Sequence, residues 1–313
     1  MNFFKRILRD ELPFILVSPA FVWEILFLYF PLIVLLVYSV MLPADATGKM
    51  VVGTLHFYRE ILGGLYTKMF LNSFFIASIT ASLCLMIAFP VSYYLVFKVK
   101  RFRTILLFFL ILPSWTSLIV QIYAWFFLLE KTSVLSQFLC FIGVFKEPTH
   151  LLNNKFAMVV GMVYGFLPFM IFPIYSVLEK VDKRLLEASA DLGASRLQTL
   201  RHVIFPLSLP GVVAGLILVF VPSFSEFTIP QLLGGSRYAL WGSVIVSKFI
   251  GENDFNSGAA LAVIGVLILF GLVLFLAGVY TLYKWLINRT TTVFSEQGIE
   301  ERFMSWGEFH GGD

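Results

Sequence analysis

Charged side chains are scarce in this sequence, at 13% of 313 residues, whereas a soluble globular domain carries about 25%. Only two cysteines occur, Cys84 and Cys140, so the sequence indicates no disulfide framework. The histidines are scattered and form no group with the spacing of a metal site. These absences argue against a disulfide-bonded fold, a metal centre and a water-soluble domain of this length.

Signatures of nucleotide binding and of gated ion channels are missing as well. The only Gly-Lys pair, Gly48-Lys49, is followed by Met50 and lacks the upstream glycine of a phosphate-binding loop. No helix carries arginine at every third position, and no Thr-Val-Gly-Tyr-Gly sequence occurs. We therefore expect a chain that binds no cofactor itself and catalyses no reaction.

Apolar residues are abundant instead, at 59% of the chain with a mean hydropathy of +0.88. Several apolar runs exceed the roughly 20 residues that a helix needs to cross a bilayer. Such segments must be helical, because lipid offers no hydrogen-bond partner to the backbone. The sequence predicts an all-α polytopic membrane protein with a transmembrane domain over 12–287. The six predicted spans are about 12–41, 70–97, 104–129, 156–178, 207–229 and 258–287.

The distribution of Lys and Arg predicts the orientation of these spans. Most of the 23 Lys and Arg residues fall in one set of alternating loops, which identifies that set as cytoplasmic. Residues 1–11 and 288–313 are therefore predicted to be a cytoplasmic N-terminus and tail, and the loop 179–206 lies on the same side. The net charge of +4 follows from this topology and is not read as nucleic-acid binding. The first apolar run is too long for a signal peptide core, so we expect an uncleaved helix.

The loop 179–206 has the sequence of two short helices joined at a glycine. Asp182 can cap the first helix, and Gly193 suits a left-handed turn at its end. Ser195 and Gln198 form a capping-box pattern for the second helix. We expect that helix to run to about His202, and Pro206 and Pro210 to redirect the chain into the fifth span. From periodicity alone, the alternative is an amphipathic helix on the lipid surface.

The same loop carries a family motif. It reads Glu187-Ala188-Ser189, then Gly193, then Val203-Ile204-Phe205-Pro206. The order resembles the Glu-Ala-Ala, Gly and Ile-x-Leu-Pro motif of inner-membrane permease subunits of binding-protein-dependent ABC importers. Ser replaces the second Ala, Val replaces Ile and Phe replaces Leu. The segment 226–235 is similar to the first permease component of the spermidine/putrescine-type branch, which also holds iron, sulfate, thiamine and opine relatives.

The resemblance implies a type I ABC importer permease fold in the bacterial inner membrane, with the loop 179–206 as the coupling loop. It also implies a second permease subunit, expected to be a different chain, and two ATPase subunits that use ATP. A periplasmic solute-binding protein is expected to dock at the outer segments, about 42–69, 130–155 and 230–257. The implied substrate is a polyamine, with ferric iron, an opine or another small solute as alternatives. A stand-alone channel or secondary transporter is the alternative outside this class. The implied ATPase-coupling residues are Glu187, Ala188, Ser189, Asp191, Gly193, Ala194 and Pro206.

Polar residues inside two spans are candidates for a translocation path. In the third span they recur at helical spacing, and in the fifth they follow Pro222. The alternative is ordinary helix packing, since Ser and Gln hydrogen bonds also join membrane helices. Gly211 and Gly215 form a small-residue contact face whose partner helix the sequence does not define. The candidate path residues are Ser114, Ser117, Gln121, Trp125, Ser223 and Glu226.

Overall fold

The fold is described from a computed structural model. It covers residues 12–42, 51–99, 101–143, 147, 149–235 and 238–309. The helices are α1 (Leu12–Glu24), α2 (Phe30–Ser39), α3 (His56–Glu60), α4 (Thr67–Phe97), α5 (Arg103–Ile111), α6 (Leu118–Leu129), α7 (Val134–Phe141), α8 (Lys155–Leu178), α9 (Lys183–Asp191), α10 (Arg196–Thr199), α11 (Phe205–Ser225), α12 (Trp241–Val246) and α13 (Phe255–Phe309). Two short strands, β1 (Met41–Leu42) and β2 (Val51–Val52), pair antiparallel.

Six helical stretches of the described chain are long and apolar enough to cross a membrane, which confirms the all-α polytopic fold. The last continues as one helix from Phe255 to Phe309, so the described part of the predicted tail is helical. The six stretches are Ser18–Ser39, Thr67–Phe97, Leu118–Phe141, Lys155–Leu178, Arg196–Ser225 and Phe255–Leu282.

The prediction of one continuous third span over 104–129 is wrong. Helix α5 passes into a 3₁₀ turn at Leu112–Trp115, and α6 begins only after Ser117, whose backbone is not helical (φ −58°, ψ 132°). Pro113 lies in that turn and lacks the N–H that a continuing α-helix requires. The third apolar stretch therefore comprises α6 and α7, and α5 is a separate, shorter helix.

Contacts divide the chain into two compact units. The first is formed by the described residues up to Thr80, by Thr116–Gly165 and by Pro222–Leu267, and the second by Ala81–Trp115, Phe166–Val221 and the residues from Ile268 onward. Trp241 is buried in the first unit. Its backbone N–H donates to the Ser73 hydroxyl at 2.6 Å, and its ring contacts those of Phe70 and Phe224. A Cβ on Gly265 would lie 2.6 Å from its indole nitrogen.

In the second unit α8 and α11 approach each other closely. A Cβ on Gly211 would lie 2.6 Å from the carbonyl oxygen of Pro173, and one on Gly215 would lie 2.7 Å from the sulfur of Met170. These glycines let the two backbones meet, as small residues do at membrane helix contacts. The predicted contact face is confirmed, and its partner is α8.

Candidate coupling loop and translocation path

The first helix of the coupling loop is capped as predicted. The Asp182 carboxylate accepts a hydrogen bond from the Arg184 backbone N–H at 3.0 Å, which satisfies one of the unpaired donors at the start of α9. At its other end Gly193 has φ +79°, the left-handed conformation that glycine adopts without strain. Its N–H donates to the Ala190 carbonyl at 2.9 Å. The chain therefore reverses at Gly193.

The second helix begins with the predicted capping box. The Ser195 hydroxyl accepts from the Gln198 N–H at 3.4 Å, and the Gln198 side chain accepts from the Ser195 N–H at 2.7 Å. The prediction that this helix ends at about His202 is wrong, because α10 continues through a π-helical turn, Leu200–Ile204, directly into α11. Proline lacks an N–H and its ring clashes with the carbonyl four residues earlier. A π turn widens the helix at that point, so Pro206 is accommodated without a break.

A hydroxyl pair joins the two short helices. The Ser189 and Thr199 hydroxyl groups lie 2.9 Å apart and are partly buried, and the Ala194 N–H donates to the Ser189 carbonyl at 3.1 Å. Sequence reasoning did not identify Thr199. The sequence signal was Ser189, which stands where the family motif has alanine. Serine, unlike alanine, has a hydroxyl group that can bond to a polar partner across the turn.

Removing this hydroxyl pair is expected to loosen the loop locally. A partly buried hydrogen bond contributes about 1 kcal/mol, so Ser189→Ala should raise amide hydrogen exchange of the loop about fivefold by local opening. Thr199→Ala should do the same, and the double variant should add little to either, as for two groups that act only on each other. Additive effects of the two substitutions would show that the hydroxyl groups act separately.

The outward surface of the loop combines charge with exposed leucines. Glu187, Ala188 and Asp191 are exposed, and Leu192 and Leu197 are 88% and 72% exposed. One of these leucines lies in the turn after α9 and the other in the first turn of the fifth apolar stretch, and leucines this exposed form the kind of surface that marks contact with another protein. Glu187 and Asp191 add acceptors for a partner's donors. This surface has the composition of a docking site.

The residues proposed for a path in the third span do not share one helical face. Ser114 lies in the 3₁₀ turn, and its hydroxyl donates to the Ile111 carbonyl at 2.6 Å. Ser117 precedes α6. Gln121 turns back to donate to the Thr116 hydroxyl at 2.9 Å. That part of the prediction is wrong because the helix is interrupted at Thr116–Ser117, as described above. Trp125 lies on α6, with its ring centroid 5.5 Å from that of Tyr164.

In the fifth span Ser223 is fully buried, whereas Glu226 lies one residue beyond the end of α11. The prediction that Glu226 is inside a span is therefore wrong. Its Oε1 accepts from the backbone N–H groups of Phe227, Thr228 and Ile229 at 3.1, 2.8 and 3.4 Å. The carboxylate caps the helical turn that follows, where backbone donors and the helix dipole favour a negative charge.

A charged cluster follows α12. The Lys248 ammonium lies 2.6 Å from the Glu252 carboxylate and 3.9 Å from that of Asp254, and the lysine side chain is 18% exposed. The hydrogen bond to Glu252 raises the pKa of Lys248, against the opposing effect of its burial. These residues lie in one of the outer segments expected to receive a periplasmic protein, and here they pair with one another. Among the described residues, no three His, Cys, Asp or Glu side chains come together as a metal site requires.

The arrangement of spans and loop is that of an ABC importer permease. The fold matches a chain in the crystal structure of a bacterial ABC transporter involved in the import of the acidic polysaccharide alginate. The TM-score is 0.69 at 17% sequence identity, over 89% of this chain and 98% of that chain. A second structure, of the alginate transporter with an alginate pentasaccharide-bound periplasmic protein, matches with a TM-score of 0.64 at 17% identity over 88% and 96% of the two chains.

Residues 85–289 match the family of binding-protein-dependent transport system inner membrane components, and this chain belongs to that family. It is 36% identical over 274 residues to the spermidine/putrescine transport system permease protein PotB of Salmonella typhimurium SL1344. That alignment covers 88% of this chain and 94% of the relative. It is 37% identical to PotB of Escherichia coli K12, over 77% and 88% of the two chains, and 34% identical to PotB of Haemophilus influenzae, over 91% and 98%. The family predicted from the loop motif is confirmed. The chain is a multi-pass inner-membrane permease subunit, and ATP hydrolysis belongs to separate ATPase chains.

Proposed function

We propose that this permease forms the translocation path for a polyamine, such as spermidine or putrescine, delivered by a periplasmic binding protein. The observation that carries the proposal is the identity of 34–37% to spermidine/putrescine permeases over most of the chain. The family motif in the coupling loop and the matching fold support the mode of transport. The iron, opine and small-solute alternatives have no comparable support among these relatives.

The surfaces described above suggest where partners bind. The exposed face of the coupling loop suits a groove in an ATPase subunit, because it offers apolar side chains beside carboxylates. A second permease, a different chain with its own loop, would seat the second ATPase subunit. The periplasmic protein would dock on the segments 42–69, 130–155 and 230–257. The Lys and Arg distribution supports cytoplasmic termini, and we propose that this chain binds no cofactor, with ATP held by the ATPase subunits.

The substrate proposal is tested by reconstituting the whole complex in proteoliposomes. Binding protein, ATP and radiolabelled spermidine or putrescine are supplied, and uptake is measured against unlabelled competitors. We expect unlabelled polyamine to suppress uptake, and ferric iron or an opine to leave it unchanged. Transport of iron or an opine in place of polyamine would refute the proposed polyamine substrate and would leave the assignment as a permease unchanged.

Glu226 is the carboxylate that we propose to assist a cationic solute. A charge about 4 Å away contributes roughly 4 kcal/mol at an effective dielectric of 20, which favours entry of an amine and still permits release. Glu226→Gln keeps an oxygen that can cap the following turn and removes the charge. We expect kcat/KM for spermidine uptake to fall at least about tenfold, with assembly and basal ATP hydrolysis retained.

The matched control for Glu226 is Glu300→Gln, which removes a carboxylate from α13, outside the proposed docking segments and the coupling loop, and should transport normally. Normal uptake by Glu226→Gln, combined with failed assembly of Glu226→Leu, would identify Glu226 as a capping residue alone. The charge of this residue would then have no part in substrate passage.

A further inference from the structure

Arg103, the first residue of α5, contacts the C-terminal end of α8 in two ways. Its Nη2 forms an ion pair with Oε1 of Glu179, and its guanidinium carbon lies 5.3 Å from the centroid of the Tyr175 ring. Both partners lie within five residues of each other at the place where α8 leads into the coupling loop. Neither contact belongs to the family motif of that loop.

The two contacts act on one guanidinium. The side chains of Arg103 and Glu179 are 32% and 42% exposed, and an ion pair this exposed contributes little to stability alone. Tyr175 is 7% exposed, so its ring is a fixed surface on which the planar guanidinium can rest. Arginine makes both contacts at once, and lysine is a poorer substitute because it lacks the planar, forked group.

Glu179 moves with α8 because the turn that follows the helix is bonded back to it. The N–H of Glu179 donates to the Tyr175 carbonyl at 2.9 Å, and the N–H of Val181 donates to the Leu178 carbonyl at 3.1 Å. The next residue, Asp182, caps α9. Residues 179–181, the first of the coupling loop, therefore form a short, hydrogen-bonded connection between α8 and α9, and Arg103 contacts the start of that connection.

We propose that Arg103 is a positioning residue that links the N-terminal end of α5 to the start of the coupling loop. A displacement of the loop then moves α5 together with α8, to which the loop is directly joined. Without the contacts of Arg103, the same displacement would move α8 but not the N-terminal end of α5. The inference rests on the proposed docking of the coupling loop on an ATPase.

The test compares variants of the reconstituted complex by substrate transported per ATP hydrolysed. Arg103→Gln and Glu179→Gln should each lower this ratio about three- to fivefold. This factor corresponds to the free energy of an ion pair whose guanidinium also rests on an aromatic ring. Basal hydrolysis and copurification of the ATPase should stay near wild type. Arg103→Lys should lose less, and Arg103→Glu combined with Glu179→Arg should recover part of the ratio. Arg101→Gln, whose parent guanidinium lies 5.8 Å from the Phe102 ring, is the matched control and should be unchanged.

An unchanged ratio in Arg103→Gln would overturn the proposal. So would a loss of uptake and hydrolysis in equal proportion with a lowered thermal midpoint, because a purely structural residue gives that result. Failure of the underlying coupling proposal would look different, since the wild-type complex itself would then show no ATP-driven uptake.

Discussion

Replacing Gly193 by valine is expected to abolish coupled uptake while the chain still inserts in the membrane. Gly193 has φ +79°, where a β-branched residue is strained by about 1–3 kcal/mol. The chain can relieve this strain only by altering the turn, which re-aims α9 and α10 with their exposed leucines. The residue has open space around it, since a Cβ there would meet nothing within 4 Å. The loss therefore comes from backbone conformation and not from a steric clash.

The measurement for Gly193→Val is uptake together with copurification of the ATPase subunit, and both should fall more than tenfold. Gly193→Asn is the matched control, because asparagine tolerates left-handed backbone and should retain much of both. Gly271→Val, in α13 with no neighbour within 4 Å of its Cβ position, controls for insertion. Normal ATPase binding and normal uptake by Gly193→Val would show that the turn does not set the docking geometry.

Gly242→Ala is expected to give the largest loss of stability. A Cβ on Gly242 would lie 1.9 Å from the Ser225 carbonyl oxygen and 2.6 Å from the Ser225 carbonyl carbon. Both are backbone atoms, so the end of α11 or the start of α12 must move. Such overpacking costs about 1–3 kcal/mol or more, and here it displaces the neighbouring Trp241 from its hydrogen bond to Ser73.

Thermal unfolding of purified Gly242→Ala in detergent should show a clearly lowered midpoint and a poor yield. Gly278→Ala is the control, since a Cβ at that helical position meets nothing within 4 Å and alanine favours the helix. Equal midpoints for both variants would contradict the close approach at Gly242. Because Glu226 follows directly after Ser225, uptake should fall in step with stability.

The local chemistry of the coupling loop was predictable because its signals are short in range. Asp182 as a cap, Gly193 as a left-handed residue, and Ser195 with Gln198 as a capping box each depend on neighbours within four residues. Such hydrogen bonds are set by residue type and spacing alone. The number of spans was predictable for a similar reason, since run length and apolar composition decide whether a helix can cross lipid.

The interruptions of the helices were not predictable in the same way. Pro113 and Pro206 look alike in the sequence, yet the chain breaks near the first and stays helical through a π turn before the second. The difference depends on how surrounding helices satisfy the freed carbonyl groups, which a linear pattern does not contain. Glu226 was misplaced because the end of α11 is followed by more apolar residues, so hydropathy showed no boundary there.

Uptake with an inactive ATPase tests the central claim most directly. The permease, its partner permease and the binding protein are expressed in a bacterial strain without its own polyamine importers. The ATPase is either wild type or changed at the lysine of its phosphate-binding loop. The account predicts spermidine uptake with the wild-type ATPase and none with the altered one, although the altered ATPase still copurifies with the permease. Uptake that persists with the inactive ATPase would contradict it and identify the chain as a channel or secondary transporter.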